Sequence, residues 1–434
     1  MCDVTHMHIH GLWLTDFRAF KTVALEFMYP GSSIATGQRT IRHQNVNVIL
    51  GENGSGKSSV LDAIALAVLS PLITSSGYRP YALVRRSARG NRSKASIEVD
   101  AILHTQDVMG GVAGNRHETF RALIEKRGDI EFVEDGEPNK PRLERLYNER
   151  TPAFFLVGYG ATRRVEAVSA SDLATRRRSR ILRYERVASL FEEHFALLPL
   201  NAWLPEWREL NPGRHKQVIT LINKLTPSAI RFEGSMEGGE YLFRHRGVVV
   251  PFGALSDGYK AYLGWISDLL YHLTMGAPSG AKLVDTKGVV LVDEIDLHIH
   301  PAWQRTIIPT IAETLPNLQF VFTTHSPLVV GTLQRENLMT VIRDKLGFPK
   351  VERPDEETLG LSADQILRSE AFGLDSTRDP QFRSELIEIQ KQAVAGEPGA
   401  ALKFMQKAAV GDADIEAVEA PPVPDWLQKL AKKS

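Results

Sequence analysis

Hydrophobic and polar residues alternate over residues 8–14 and again over 23–27. Alternation puts successive side chains on opposite faces, so the pattern predicts an antiparallel pair of half-buried strands. Residues 45–50 differ: they form a short apolar run, as a strand covered on both faces requires. Residues 58–69 are apolar and Ala-rich at helical spacing, and Pro71 is expected to stop that helix. Further strands are predicted at 97–103, 119–126, 130–133 and 153–159, with turns at Gly128-Asp129 and Asp135-Gly136. From about 166 to 225 the pattern turns helical, with Arg-rich and Leu-rich faces broken at Pro199, Pro205 and Asn211-Pro212-Gly213. Strands return at 229–232, 241–244 and 248–251. A long helix is expected over 254–273, a buried strand at 289–292, a helix over 301–315 and a buried strand at 319–324. Beyond residue 335 the signals weaken. Residues 359–398 read as partly helical, and 420–424 as a Pro-rich linker before a short basic tail. No internal repeat or heptad run is visible, so a long coiled coil is not expected.

The strand at 45–50 runs directly into Gly51-Glu52-Asn53-Gly54-Ser55-Gly56-Lys57-Ser58. Gly51, Gly54 and Gly56 permit backbone conformations that a side chain would block. Successive N–H groups can then face a phosphate, aided by the positive end of the following helix. Lys57 supplies a point charge for the β- and γ-phosphates, and Ser58 a hydroxyl for Mg²⁺. Asn53, Ser55 and Ser59 complete the expected nucleotide contacts. The bland reading is a Gly-rich turn with an incidental lysine; a strand before and a helix after argue for the phosphate loop.

Residues 289–294 spell Val-Val-Leu-Val-Asp-Glu, an apolar strand ending in two carboxylates. Many strands end in acids for solubility. Beside a phosphate loop, Asp293 is suited to hold Mg²⁺ and Glu294 to polarise an attacking water. One helix later comes Phe320-Val-Phe-Thr-Thr-His325-Ser-Pro. His325 can cap its strand, or reach a γ-phosphate if three strand ends converge as open parallel sheets require of a ligand site.

These motifs, with Leu255-Ser-Asp-Gly-Tyr-Lys260 at a helix start, resemble the ABC-type ATPase heads of the RecF/SMC/OLD superfamily. Thr15-Asp-Phe-Arg-Ala-Phe20 is similar to that group's N-terminal strand. The string from Asp293 to Gln304 is similar to the branch containing OLD-like and Septu-type antiphage ATPases. The resemblance spans residue 8 to about 335. It implies an α/β fold: an ABC-type P-loop NTPase head, with a mixed central sheet, an antiparallel β subdomain and a helical lobe. The expected divisions are 1–165 (Walker A and the β subdomain), 166–250 (helical lobe), 251–335 (signature, Walker B and switch histidine) and 336–434 (C-terminal extension). It assigns Lys57 and Ser58 to Walker A, Asp293 to Walker B, Glu294 to the catalytic glutamate and His325 to the switch histidine. Ser256 and Gly258 match the signature, which in such heads contacts the γ-phosphate on the other protomer; Arg18 matches an arginine near the nucleotide. The implied cofactors are ATP and Mg²⁺. The implied assembly is a homodimer, or a higher even oligomer, closed by ATP.

The chain departs from that pattern in places. Asp257 and Tyr259 stand where the commoner signature has Gly and Gln or Glu. No Q-loop glutamine is evident, and Val157 to Arg164 occupies its expected place. His298 and His300 follow Glu294, unlike transporter ATPases. Only 109 residues follow His325, without the acidic constellation of an OLD nuclease. The implied partner is therefore a separately encoded effector, such as an HNH-type nuclease.

Composition narrows this further. Lys+Arg and Asp+Glu each number 52, so no global field draws the chain to nucleic acid or membrane. The single cysteine, Cys2, excludes a disulfide framework and suits the cytoplasm. No apolar stretch is long enough to span a bilayer. Eight arginines between Arg163 and Arg186 (163, 164, 176, 177, 178, 180, 183, 186) are a candidate DNA or RNA surface, a solvated face or a partner dock. Arg79, Arg85, Arg86, Arg89, Arg92 and Lys94 pose the same choice. His6, His8 and His10 share a strand face but lack the companions of a metal site. Two alternatives stand beside a defence ATPase: a RecF-like DNA-repair factor, and a nucleotide-sensing scaffold with little hydrolysis.

Overall fold

The computed structural model describes residues 3–32, 40–76, 81–86, 92–106, 114–136, 144–147, 154–165, 183–278 and 280–410. In chain order the strands are β1 (Asp3–Phe17), β2 (Phe20–Glu26), β3 (Val46–Gly51), β4 (Lys94–Gln106), β5 (Gly114–Arg127), β6 (Ile130–Asp135), β7 (Leu156–Tyr159), β8 (Ile230–Glu237), β9 (Glu240–His245), β10 (Val248–Pro251), β11 (Gly288–Val292), β12 (Leu318–Thr323), β13 (Leu338–Arg343) and β14 (Pro349–Glu352). The principal helices are α1 (Lys57–Ser76), α2 (Pro212–Leu225), α3 (Asp257–Gly276), α4 (Pro301–Gln304), α5 (Ile307–Thr314), α6 (Pro380–Val394) and α7 (Ala400–Val410).

Six strands form a mixed central sheet in the order β14-β13-β3-β12-β11-β7. All its pairings are parallel except β13 with β14. Strand alternation divides its side chains between two cores. Val289 and Leu291 join the core around α1, while Val290 and Val292 join the core around α2, α3 and α5. Helix α1 lies between the central sheet and an antiparallel sheet of order β2-β1-β4-β5-β6. That position explains its sequence. A helix covered on all sides must be apolar on all sides, and residues 63–69 of α1 are all buried.

A three-stranded antiparallel meander, β10-β9-β8, follows α2. Asn211 caps α2 by accepting from the Arg214 backbone N–H at 3.0 Å. The Arg214 guanidinium donates to Thr274 O (2.7 Å) and Ala277 O (2.9 Å), satisfying carbonyls at the C-terminal end of α3. A separate compact unit begins at Gly373, and in it α6 and α7 pack together around Leu386, Ile389 and Ala400.

Two expectations need correction, and two strands were not foreseen. Pro71 does not stop α1, which continues to Ser76. Proline leaves the Ala67 carbonyl without its usual donor; Ser70 Oγ donates to that carbonyl at 3.3 Å instead. The helix expected over 301–315 is two helices, because Pro309 cannot donate to Arg305. A new helix starting at Ile307 places that proline in its first turn, where no donor is needed. Strands β13 and β14 had no sequence prediction, yet β13 lies beside the phosphate-loop strand β3.

Candidate functional site

The carboxyl ends of β3, β12, β11 and β7 lie side by side, because those strands are parallel and in register. Each end carries one piece of the site. At the end of β3, Gly51, Gly54 and Gly56 take φ of 149°, 72° and 109°. The last two are left-handed conformations that favour glycine. A Cβ on Gly56 would lie 2.9 Å from the Phe20 ring, so β2 fixes the loop from behind. Lys57 is buried, and its ammonium donates to Gly51 O (3.0 Å) and Glu52 O (2.9 Å). Ser58 is exposed at the start of α1. Ser55 Oγ is buried without a hydrogen-bond partner. Left-handed glycines, a buried lysine held only by carbonyls and an orphaned hydroxyl fit a polyphosphate with its metal.

At the ends of β11 and β12 a small network sets the acids. Thr323 Oγ1 donates to Asp293 Oδ1 at 2.5 Å and accepts from the Glu294 backbone N–H at 2.7 Å. Glu294 has φ of 46°, a conformation costing about 1 kcal/mol or more in a non-glycine residue. Its carboxylate makes no hydrogen bond or ion pair among the described residues. Arg163, beyond β7, holds the chain from the other side. Its guanidinium donates to Asp293 O, and to Glu294 O at 2.9 Å. Burial lowers the Arg163 pKa to about 10, against the pull of Asp293, Asp296 and Glu294. The Val157–Arg164 segment thus braces the two acids through their backbone.

His325 follows β12 and is half-buried. Burial first, then the Lys57 charge, lowers its pKa, so it is neutral near pH 7; Asp296, Glu294 and Asp293 act the other way. Burial likewise lowers Lys57, opposed by the same three carboxylates. Lys57, His325, Asp293 and Glu294 therefore share one electrostatic neighbourhood. Ser326 Oγ donates to Gln304 at 2.7 Å, and Gln304 Nε2 donates to Ile299 O at 2.9 Å, tying the His325 segment to the loop after Glu294.

Arg18 sits in the β1–β2 turn with φ of 47°. It donates to Ser59 Oγ at 3.3 Å and pairs with Asp62. Burial pushes Asp62 up to about 7, although Arg18 pulls it down. Sequence reasoning did not single out Asp62. Its only signal was a carboxylate within an otherwise apolar helix.

Ser256 and Gly258 open α3 some distance along the chain, on a groove of about 700 Å³ with Tyr259, His298, His300 and Trp303. Ser256 is exposed and makes no side-chain bond to its own helix. A Cβ on Gly258 would lie 2.4 Å from His298 O, so the signature start presses on the loop after Glu294. Tyr259 packs edge-on against Trp303 with centroids 4.8 Å apart.

The basic surface expected from Arg163 to Arg186 changes character. Arg163, Arg183 and Arg186 are buried, so they cannot present a solvent-facing row to nucleic acid. Arg183 lies over the Phe155 ring at 5.3 Å. Arg164 is exposed; Arg176, Arg177, Arg178 and Arg180 lie outside the described residues, as do Arg79, Arg89 and Cys2. Arg85 is buried against Asp16 at 2.7 Å. His6 and His8 bond to the Phe154 (3.1 Å) and Asn317 (2.9 Å) carbonyls, and the described residues contain no metal-binding cluster. No helix among them is long and apolar enough to cross a membrane.

A family model described as "AAA domain, putative AbiEii toxin, Type IV TA system" matches residues 46–331. The chain is 46% identical over 84 residues to "Retron Ec83 probable ATPase" of Escherichia coli, covering 19% of this chain and 16% of that protein. It is 23% identical to "Septu protein PtuA" of Bacillus mycoides, covering 85% of this chain and 45% of that protein. The chain therefore spans less than half the length of either relative. Among solved structures, the SMC head domain from Thermotoga maritima aligns over 80% of this chain and 100% of that one, at 16% identity and a TM-score of 0.42.

Proposed function

The chain belongs to this AAA domain family, and from that premise we propose that it is an ATP-hydrolysing switch subunit of a bacterial antiphage defence system, controlling a separately encoded effector. The observation that carries the reading is the meeting of the phosphate loop, Asp293, Glu294 and His325 at neighbouring strand ends. The names of the retron and Septu relatives support the defence setting.

In this reading the backbone N–H groups of residues 51–58 and the Lys57 ammonium hold the phosphates. Asn53, Gly54, Ser55 and Ser59 complete the cradle, and Arg18 stands beside it. Ser58 and Asp293 would hold Mg²⁺, which supplies charge neutralisation on the phosphates when bound. Glu294 accepts a proton from the attacking water as oxygen bonds to the γ-phosphorus and the bond to the bridging oxygen breaks. Its unpaired carboxylate is available for that task. Neutral His325 can donate a hydrogen bond to the γ-phosphate. Ser256 and Gly258 serve the nucleotide of a second copy, so two chains complete two sites by an isologous pairing. Arg163, Arg183 and Arg186 are buried and unavailable to the DNA contact that a RecF-like reading needs, while Arg164 is exposed.

The dimeric switch is tested with Glu294→Gln, which is expected to bind ATP without turning it over. Sedimentation velocity with Mg-ATP should show its mass doubling, and ADP should reverse this. A single unchanged species in both conditions would refute the switch.

A further inference from the structure

The groove beside Ser256 and Gly258 has one wall that no motif accounts for. Strands β9 and β10 turn at Arg246-Gly247, with φ of 51° and 86°, and His245 pairs with Val248 across the turn. A two-residue hairpin with both φ positive prefers Asn or Asp before Gly; an arginine there costs about 1 kcal/mol or more. The turn gives no reason for the arginine, and neither does packing. Arg246 is exposed, and its side chain has no hydrogen bond or ion pair among the described residues.

Arg246 lines the groove together with His245, His298, Ser256 and Gly258. Among the described residues, that lining contains no carboxylate. Asp257 is not part of it; its side chain is 95% exposed and pairs with Lys260 at 2.8 Å. A concave surface that carries an unpaired guanidinium and no lining carboxylate, at the start of a 20-residue helix, is suited to an anion. The groove includes no residue of the chain's own phosphate loop, nor Asp293, Glu294 or His325. An anion bound there would not be one held by those residues.

We propose that Arg246 acts in trans, binding the terminal phosphate of the nucleotide held by a second copy of this chain. This rests on the two-chain site proposed above. A guanidinium keeps its charge at all working pH values and can bind phosphate oxygens in pairs.

The test is complementation between two defective chains. Arg246→Gly removes the side chain and suits the turn, so its folding should be intact by circular dichroism. It should slow phosphate release by ~1,000-fold, the lower end of the range for arginines that stabilise phosphoryl transfer. Lys57→Ala abolishes release at its own phosphate loop. Mixed in equal amounts before ATP is added, the two should recover about a quarter of the wild-type rate, since random pairing in a two-fold dimer leaves that share of sites intact. No recovery on mixing, or a wild-type rate for Arg246→Gly alone, would overturn the assignment. Failure of Glu294→Gln to dimerise on ATP would instead remove the two-chain reading itself, and this inference with it.

Discussion

Glu294 owes its position to residues far from it in sequence. Thr323 holds its N–H, and Arg163 its carbonyl, while the backbone stays at φ of 46°. A lysine at 163 could reach one carbonyl but could not span two with a planar fork. We expect Arg163→Lys to lower kcat by ~100-fold while KM for ATP changes less than about threefold, because the damage falls on the attacking water. Steady-state kinetics decide this; a loss carried by KM alone would mean that Arg163 serves the fold or nucleotide binding only. At this scale the sequence reveals residues contiguous with a motif, such as Lys57, Ser58, Asp293 and Glu294. It conceals their supports. Thr323 reads as an ordinary strand residue, and Arg163 as one arginine in a basic run. Only the parallel register of β7, β11 and β12 makes them neighbours of the acids.

Elements were legible where their periodicity was clean. The alternation in β1 and β2, and the apolar runs of β3, β11 and β12, follow directly from half-burial and full burial. Strand β13 was missed because Leu338-Met-Thr-Val-Ile is a short apolar run without alternation, which a buried helix segment shows equally well. Pro71 misled for a local reason: the substitute donor, Ser70, sits immediately before it. That arrangement is open to a double-mutant cycle. Ser70→Ala should destabilise the protein by ~1 kcal/mol alone, and by less in a Pro71→Ala background, where residue 71 regains an N–H for Ala67 O. Urea unfolding measures both; equal costs in the two backgrounds would show that Ser70 does not compensate for the proline.

At the scale of the whole molecule, the central sheet gathers the phosphate loop, acids and histidine on one edge. The signature opens on a separate groove lined by none of them. The proposed second copy would bring its own phosphate loop to that groove, and the sedimentation of Glu294→Gln with Mg-ATP tests this. The basic run from Arg163 to Arg186 shows the opposite lesson. Charge counted along a sequence does not say which guanidinium groups face water, and three of these face carbonyls, rings or core.

The central claim is that this assembly hydrolyses ATP through Glu294. Phosphate release under saturating Mg-ATP, compared between the wild type and Glu294→Gln, tests it most directly. We expect steady turnover by the wild type and a loss of ~100-fold or more in the variant. Equal, near-zero rates in both would contradict it and leave a protein that binds nucleotide without consuming it.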